Sequence, residues 1–158
     1  MRAYRFVLIV ALLALTSIVV RAEPADEVSA VVDRWAAAFN ANNVDALVNL
    51  YAPEAIFVGS TGLARHEGRD AIRGYFGRLA NSGDKVVIED RKIVLLGDNI
   101  AYATGFYEFS AVRGGAVRKT KAGFSMVFLK QGNGWLIAHH HSSVRSGPPP
   151  TTLPLQKI

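Results

Sequence analysis

The chain of 158 residues contains no cysteine. Thiol nucleophiles, zinc–thiolate sites and iron–sulfur clusters are thereby excluded, and stability falls to the hydrophobic core instead of disulfides. A basic stripe fit to track a nucleic-acid backbone is also missing. The short cluster Arg118-Lys119-Lys121 falls on what reads as a hairpin arm. Gly59, Gly62 and Gly68 do not make a phosphate loop, because the spacing is wrong and no Lys-Ser/Thr pair follows. There is no internal repeat and no sign of a second domain.

What the chain does have, at its start, is a long apolar run. Met1 to Arg5 carries two arginines, Phe6 to Val20 is almost wholly apolar, and Val20-Arg21-Ala22 offers small residues where a signal peptidase reads. Residues 1–22 are expected to be a secretory signal peptide cut after Ala22. The protein would then be exported, periplasmic or secreted, with no stable membrane anchor. The alternative, an uncleaved anchor, needs roughly 20 apolar residues. Cleavage removes Arg2, Arg5 and Arg21 and lowers the net charge from +5 to +2. Residues 23–145 read as one domain, and residues 146–158 as a Pro-rich C-terminal tail, a disordered end.

Within the domain, Val28, Val31, Val32, Trp35 and Phe39 recur at helical spacing and predict a helix over residues 24–40, with Asp26 and Glu27 favoured in its first turn. Asn42 or Asn43 caps a second helix from Val44 to about Tyr51. A short strand over 54–58 and a loop over 59–67 lead to a third helix from Gly68 to about Leu79. From Lys85 the grammar is that of strands. Residues 85–96 are one long strand, or two halves broken by a bulge around Glu89-Asp90-Arg91. Residues 100–111 and 117–130 are joined by a turn at Arg113-Gly114-Gly115. The last strand, Trp135 to Ser143, holds three of the four histidines. Strict alternation places Trp135, Ile137, His139 and His141 on one face and His140 and Ser142 on the other. Helices followed by a meander give an α+β fold with the helices on one sheet face. The other face also looks apolar and is expected to meet a second copy of the chain.

The segments Tyr51-Ala52-Pro53-Glu54-Ala55-Ile56-Phe57, Glu67-Gly68, Gly97-Asp98, Ile100-Ala101-Tyr102 and Gly134 to Ser143 together resemble the nuclear transport factor 2-like superfamily. Within it the likeness is to the association domain of calcium/calmodulin-dependent protein kinase II and to bacterial SgcJ/EcaC-type and SnoaL-like proteins. The resemblance implies a cone: three N-terminal helices packed on a strongly curved antiparallel sheet, a pocket at the open end, and a homodimer or larger homo-oligomer. It does not imply kinase activity, since no ATP-binding or catalytic-loop motif is present. In the association domain, arginines line the pocket on the later strands. The matching positions here are Thr104, Met126 and Ser142, none of them basic, so a preference for acidic ligands does not carry over.

The same correspondence puts His140 and Ser142 on the pocket face beside Tyr102, Thr104, Phe124 and Met126. His140 is the candidate general acid or base, imidazole titrating near neutrality. Isomerases of the superfamily move a proton with a pocket aspartate. Glu108, on the strand face of Thr104, is the carboxylate to test for that role. Tyr51, Tyr75 and Tyr102 are candidate ligand hydrogen-bonders, and His66 lies in a loop near the mouth. His139 and His141 at i and i+2 can reach one metal but lack a third ligand, so no metal or cofactor is expected. Two functional readings remain open, beside a third in which the Pro-rich tail Gly147 to Pro154 acts on another protein. One is a pocket that binds, or also transforms, a small mostly apolar molecule. The other is a non-catalytic homo-oligomerisation module. Whether the protein is an enzyme is left undecided.

Overall fold

The computed structural model describes residues 23–62, 64–145 and Gly147. The expected signal peptide and nearly all of the Pro-rich tail lie outside them. Among the described residues no helix is long and apolar enough to cross a membrane.

Helix α1 spans Pro24–Asn40 and buries Val28, Val31, Val32, Trp35, Ala38 and Phe39. Proline in its first turn costs no hydrogen bond, because that N–H has no helical partner. Asn42 then takes a left-handed backbone, φ 54°. Its side-chain amide donates to Phe39 O and Asp84 O, while its Oδ1 accepts from Gly83 N. The helix end is thus tied to the turn ahead of the sheet. Asn40 completes the join by exchanging two hydrogen bonds with the Val86 backbone, 2.7 and 2.9 Å. Helix α2 is only Val44–Val48, capped by Asn43 Oδ1 accepting from Ala46 N at 2.9 Å.

Tyr51 does not end this helix but starts strand β1, Tyr51–Val58. Arg65–Glu67, expected as loop, forms strand β2 against β1. Helix α3 covers Gly68–Phe76, and Gly77–Leu79 continues it as one 3-10 turn. Four strands follow: β3 Lys85–Leu95, β4 Ile100–Arg113, β5 Ala116–Gln131 and β6 Gly134–Val144. The β4–β5 turn is Gly114-Gly115, both at positive φ (59° and 77°) as a tight hairpin requires.

The six strands form one sheet in the order β2-β1-β6-β5-β4-β3. All neighbours are antiparallel except β1 and β6, which run parallel, so the sheet is mixed. It bulges between Ile88 and Asp90, within the stretch read from sequence, and again at Ala138. Helices cover the inner face, where Ala101, Ala103, Tyr107, Met126, Phe128 and Ile137 are closed from solvent. The outer face is more open, with Phe106 40 % and Val87 63 % exposed.

Candidate functional site

The bulge at Ala138 decides what β6 shows the interior. Phe128 pairs with Ile137, but Val127 pairs with His139, so Ala138 is unmatched. The extra residue moves the strand's phase by one. Trp135 and Ile137 point inward ahead of it, and His140 and Ser142 point inward beyond it; all four are buried. His139 and His141 lie on the outer face. Strict alternation across this strand therefore fails at Ala138, although the inward placement of His140 and Ser142 holds.

His140 is 1 % exposed and sits at the end of a hydrogen-bond relay. Trp35 Nε1 donates to the Tyr51 hydroxyl oxygen at 2.9 Å, and that hydroxyl lies 2.9 Å from His140 Nδ1. An indole N–H can only donate. The Tyr51 oxygen accepts from it, and the Tyr51 proton is best spent on His140 Nδ1. Nδ1 is then the bare nitrogen, and the imidazole carries its proton on Nε2, an assignment made from the network. Rings crowd the imidazole: Trp35 and Phe57 present their edges or faces at 5.3 and 5.1 Å, and Tyr51 stacks at 6.2 Å. Burial first, then the neighbouring His139 and His141, holds the His140 pKa down at about 3. A general acid or base works best near the operating pH. His140 is instead a neutral group at physiological pH, offering an N–H donor.

A cavity of about 280 Å³ opens in front of it, between α1, α3 and the inner sheet face. Its inner wall is Trp35, Phe57, Phe76, Tyr107, His140 and Ser142; its mouth carries Thr61, Arg78, Asp84, Arg113 and Thr120. Tyr75 also lines it. The Tyr75 ring lies so close to Gly59, just past β1, that a Cβ there would stand 2.3 Å from its hydroxyl, so a larger residue would push this wall aside. Three polar atoms at this site are closed from solvent and have no hydrogen-bond partner among the described residues: His140 Nε2, the Tyr107 hydroxyl and Ser142 Oγ. Burial raises the Tyr107 pKa well above its ordinary value and the neighbouring Ser142 hydroxyl pulls it back, although the two groups do not meet in hydrogen-bond geometry. Tyr51 is raised likewise by burial, with the Trp35 hydrogen bond opposing.

The other sequence candidates separate cleanly. Tyr51 stands behind His140 and orients it without lining the cavity. Met126, opposite His140 on β5, and Phe124, stacked 5.0 Å from Tyr107, are buried supports of the inner face. Tyr102, Thr104 and Glu108 are misplaced by the sequence reading. On β4 the odd positions face inward, and these three share the outer face. Thr104 bonds Phe124 O, and Glu108 pairs with Lys119 at 2.7 Å, which lowers its carboxyl pKa. A carboxylate on the solvent side and already paired is no pocket base. His66 packs on Tyr75 and Phe57 at 5.0 and 6.1 Å from β2. Among the described residues no three His, Asp or Glu side chains gather to hold a metal ion.

Trp35, Phe57, Tyr107, Arg78 and Arg113 line the site without having been singled out. Tyr107 was within reach: Glu108 shares the phase of Tyr102 and Thr104, and a charged residue marks that phase as the solvent side.

A helical layer over a bent mixed sheet, with a cavity between them, is the setting for comparison with known proteins. The family model of the SnoaL-like domain matches residues 28–146. The chain belongs to the SnoaL-like domain family. A Xanthomonas campestris protein named for the calcium/calmodulin-dependent protein kinase II association domain is 32 % identical, with a TM-score of 0.70 over 79 % of this chain and 93 % of that one. The hub of that kinase from S. rosetta shares the fold at 21 % identity, TM-score 0.70, over 80 % of this chain and 100 % of that one. So does a ketosteroid isomerase-like protein from Erwinia carotovora, at 18 % identity and TM-score 0.70, over 79 % and 98 %. No curated protein sequence matches. This SnoaL-like domain has the nuclear transport factor 2-like fold.

Proposed function

We propose that this SnoaL-like protein is exported and binds a small, mostly apolar molecule in its cavity. The observation that carries the reading is the trio of buried polar atoms without partners, set in an aromatic wall. Buried polar groups in native proteins are nearly always bonded, and an unmet one calls for a ligand or water. An apolar concavity with a few convergent polar groups is the usual make-up of a small-molecule site. A neutral His140 and an outward Glu108 speak for binding over proton transfer. Export rests on the pattern of residues 1–22.

The test is a thermal-shift screen of small ring compounds against residues 23–158. At about a hundredfold excess over Kd a ligand adds about 2.7 kcal/mol, which raises Tm by several degrees for a domain of this size. If no compound moves Tm, the cavity is not a ligand site.

A second reading concerns assembly, and the association-domain name of the 32 % identical Xanthomonas protein favours it. The outer sheet face, with Tyr102, Thr104, Phe106, Val127 and His139, meets a second copy. Light scattering at micromolar concentration should give at least a dimer. Thr104→Arg, a charge at the middle of that face, should give a monomer with its circular dichroism unchanged. A wild-type monomer would remove this reading and leave the cavity reading intact.

A further inference from the structure

We propose that the cavity takes a flat ligand that enters with an uncharged carbonyl leading and leaves an anionic end at the mouth, on Arg78. The proposal rests on the ligand-binding role given above and says what that ligand looks like.

The inner end fixes the first half. His140 Nε2 is a donor, because Nδ1 is occupied by the Tyr51 hydroxyl. Tyr107 and Ser142 add two hydroxyls that can turn to donate. No lysine or arginine stands among these inner groups. A carboxylate pushed there would lose its hydration with no opposite charge to replace it. A carbonyl oxygen loses far less and needs only a neutral donor there to replace its hydration. Burial among Trp35, Tyr51 and Phe57, with His139 and His141 nearby, keeps the imidazole from taking a second proton, so this preference does not switch with pH near neutrality.

The mouth fixes the second half. Arg113 is committed to Asp84 through two hydrogen bonds of 3.0 and 2.9 Å. Arg78 is different. Its Nη2 bonds the Thr61 and Tyr75 hydroxyls at 2.9 and 3.0 Å, and its guanidinium lies 4.5 Å over the Tyr75 ring. Among the described residues it meets no carboxylate within ion-pair distance. A guanidinium held flat at the mouth, with donors to spare, suits a carboxylate. Phe57, Tyr75 and Phe76 between the two ends suit a planar ring.

Three probes separate the ends: acetophenone, benzoate and 4-acetylbenzoate, titrated calorimetrically into residues 23–158. The compound with both groups should bind about tenfold more tightly than either of the others, as one charge-assisted hydrogen bond allows. Arg78→Gln should bring 4-acetylbenzoate down to acetophenone and leave acetophenone unchanged. Ser142→Ala should weaken both ketones about fivefold and leave benzoate unchanged. Acetophenone affinity should stay flat from pH 5.5 to 8. Ketone and carboxylate binding alike, with neither substitution discriminating, would overturn this inference and leave the binding role standing. Benzoate binding that needs Ser142 and strengthens below pH 6.5 would overturn it too, by showing a charged inner end. If none of the three binds while other ring compounds shift Tm, the ligand is of another class and the inference falls. If nothing shifts Tm, the binding role falls with it.

Discussion

Between pH 7 and pH 4.5 the protein is expected to lose about 2.5 kcal/mol of stability through His140 alone. The unfolded imidazole titrates near 6.5 and the folded one at about 3, depressed chiefly by burial. Between those values the unfolded chain holds a proton that the folded chain refuses. Protons therefore favour unfolding, and stability falls as pH falls, by about 1.4 kcal/mol per pH unit once below 6.5. Above 6.5 both states are neutral and the contribution is flat. His139, also lowered by burial and by His141, adds in the same direction from a more exposed position. Carboxylates such as Glu108, held down by Lys119, act only lower, as pH falls past the ordinary carboxylate range. Urea midpoints at half-unit steps from pH 7.5 to 4.5 measure the slope. His140→Gln should remove most of it, whatever that substitution does to stability at pH 7. An equal slope in the variant would place the protonation elsewhere and undo the buried, neutral imidazole on which the site depends.

Why these features were or were not legible follows from how local their causes are. Helix α1 was readable because Val28, Val31, Val32, Trp35 and Phe39 recur at 3.6 residues and nothing else explains that spacing. The β3 bulge was readable because Glu89-Asp90-Arg91 breaks any alternation that a half-buried strand keeps. The β6 bulge was not, because Ile137, Ala138 and His139 fit either phase. Only the pairing of Val127 with His139 shows the slip. Strand β2 and the start of β1 have their causes far along the chain. Arg65–Glu67 is a strand because β1 lies beside it, and Ile137 N donates to Leu50 O at 2.8 Å where a longer helix α2 was expected. The cone and the inward His140 came from family resemblance. The cavity wall did not, since assigning β4 to the wrong face exchanged Tyr107 for Tyr102 and Thr104.

Gly105→Ala is expected to destabilise the fold by about 3 kcal/mol or more, the upper end for overpacking, because the obstacle is backbone. A Cβ at this position would stand 2.1 Å from Asp90 O, 2.9 Å from Arg91 Cα and 2.9 Å from the Phe124 ring. Asp90 and Arg91 belong to the β3 bulge, which folds across β4 at this point. Ala101, Ala103 and Gly105 form a run of small inward residues, and beyond them Tyr107 and Phe109 are large. The sheet can bend tightly over the small run, and the large residues then wall the cavity. Adding a methyl at Gly105 forces β3 and β4 apart at the bend itself. Gly74 is the control: it lies inside α3, and a Cβ there meets nothing within 4 Å. Gly74→Ala should stabilise by about 0.5–1 kcal/mol, through the unfolded chain and helix propensity. Denaturant midpoints for the two variants should therefore move in opposite directions. A Gly105→Ala protein as stable as wild type would mean that the bend yields easily, and the cavity would then not be a preformed feature of this sheet.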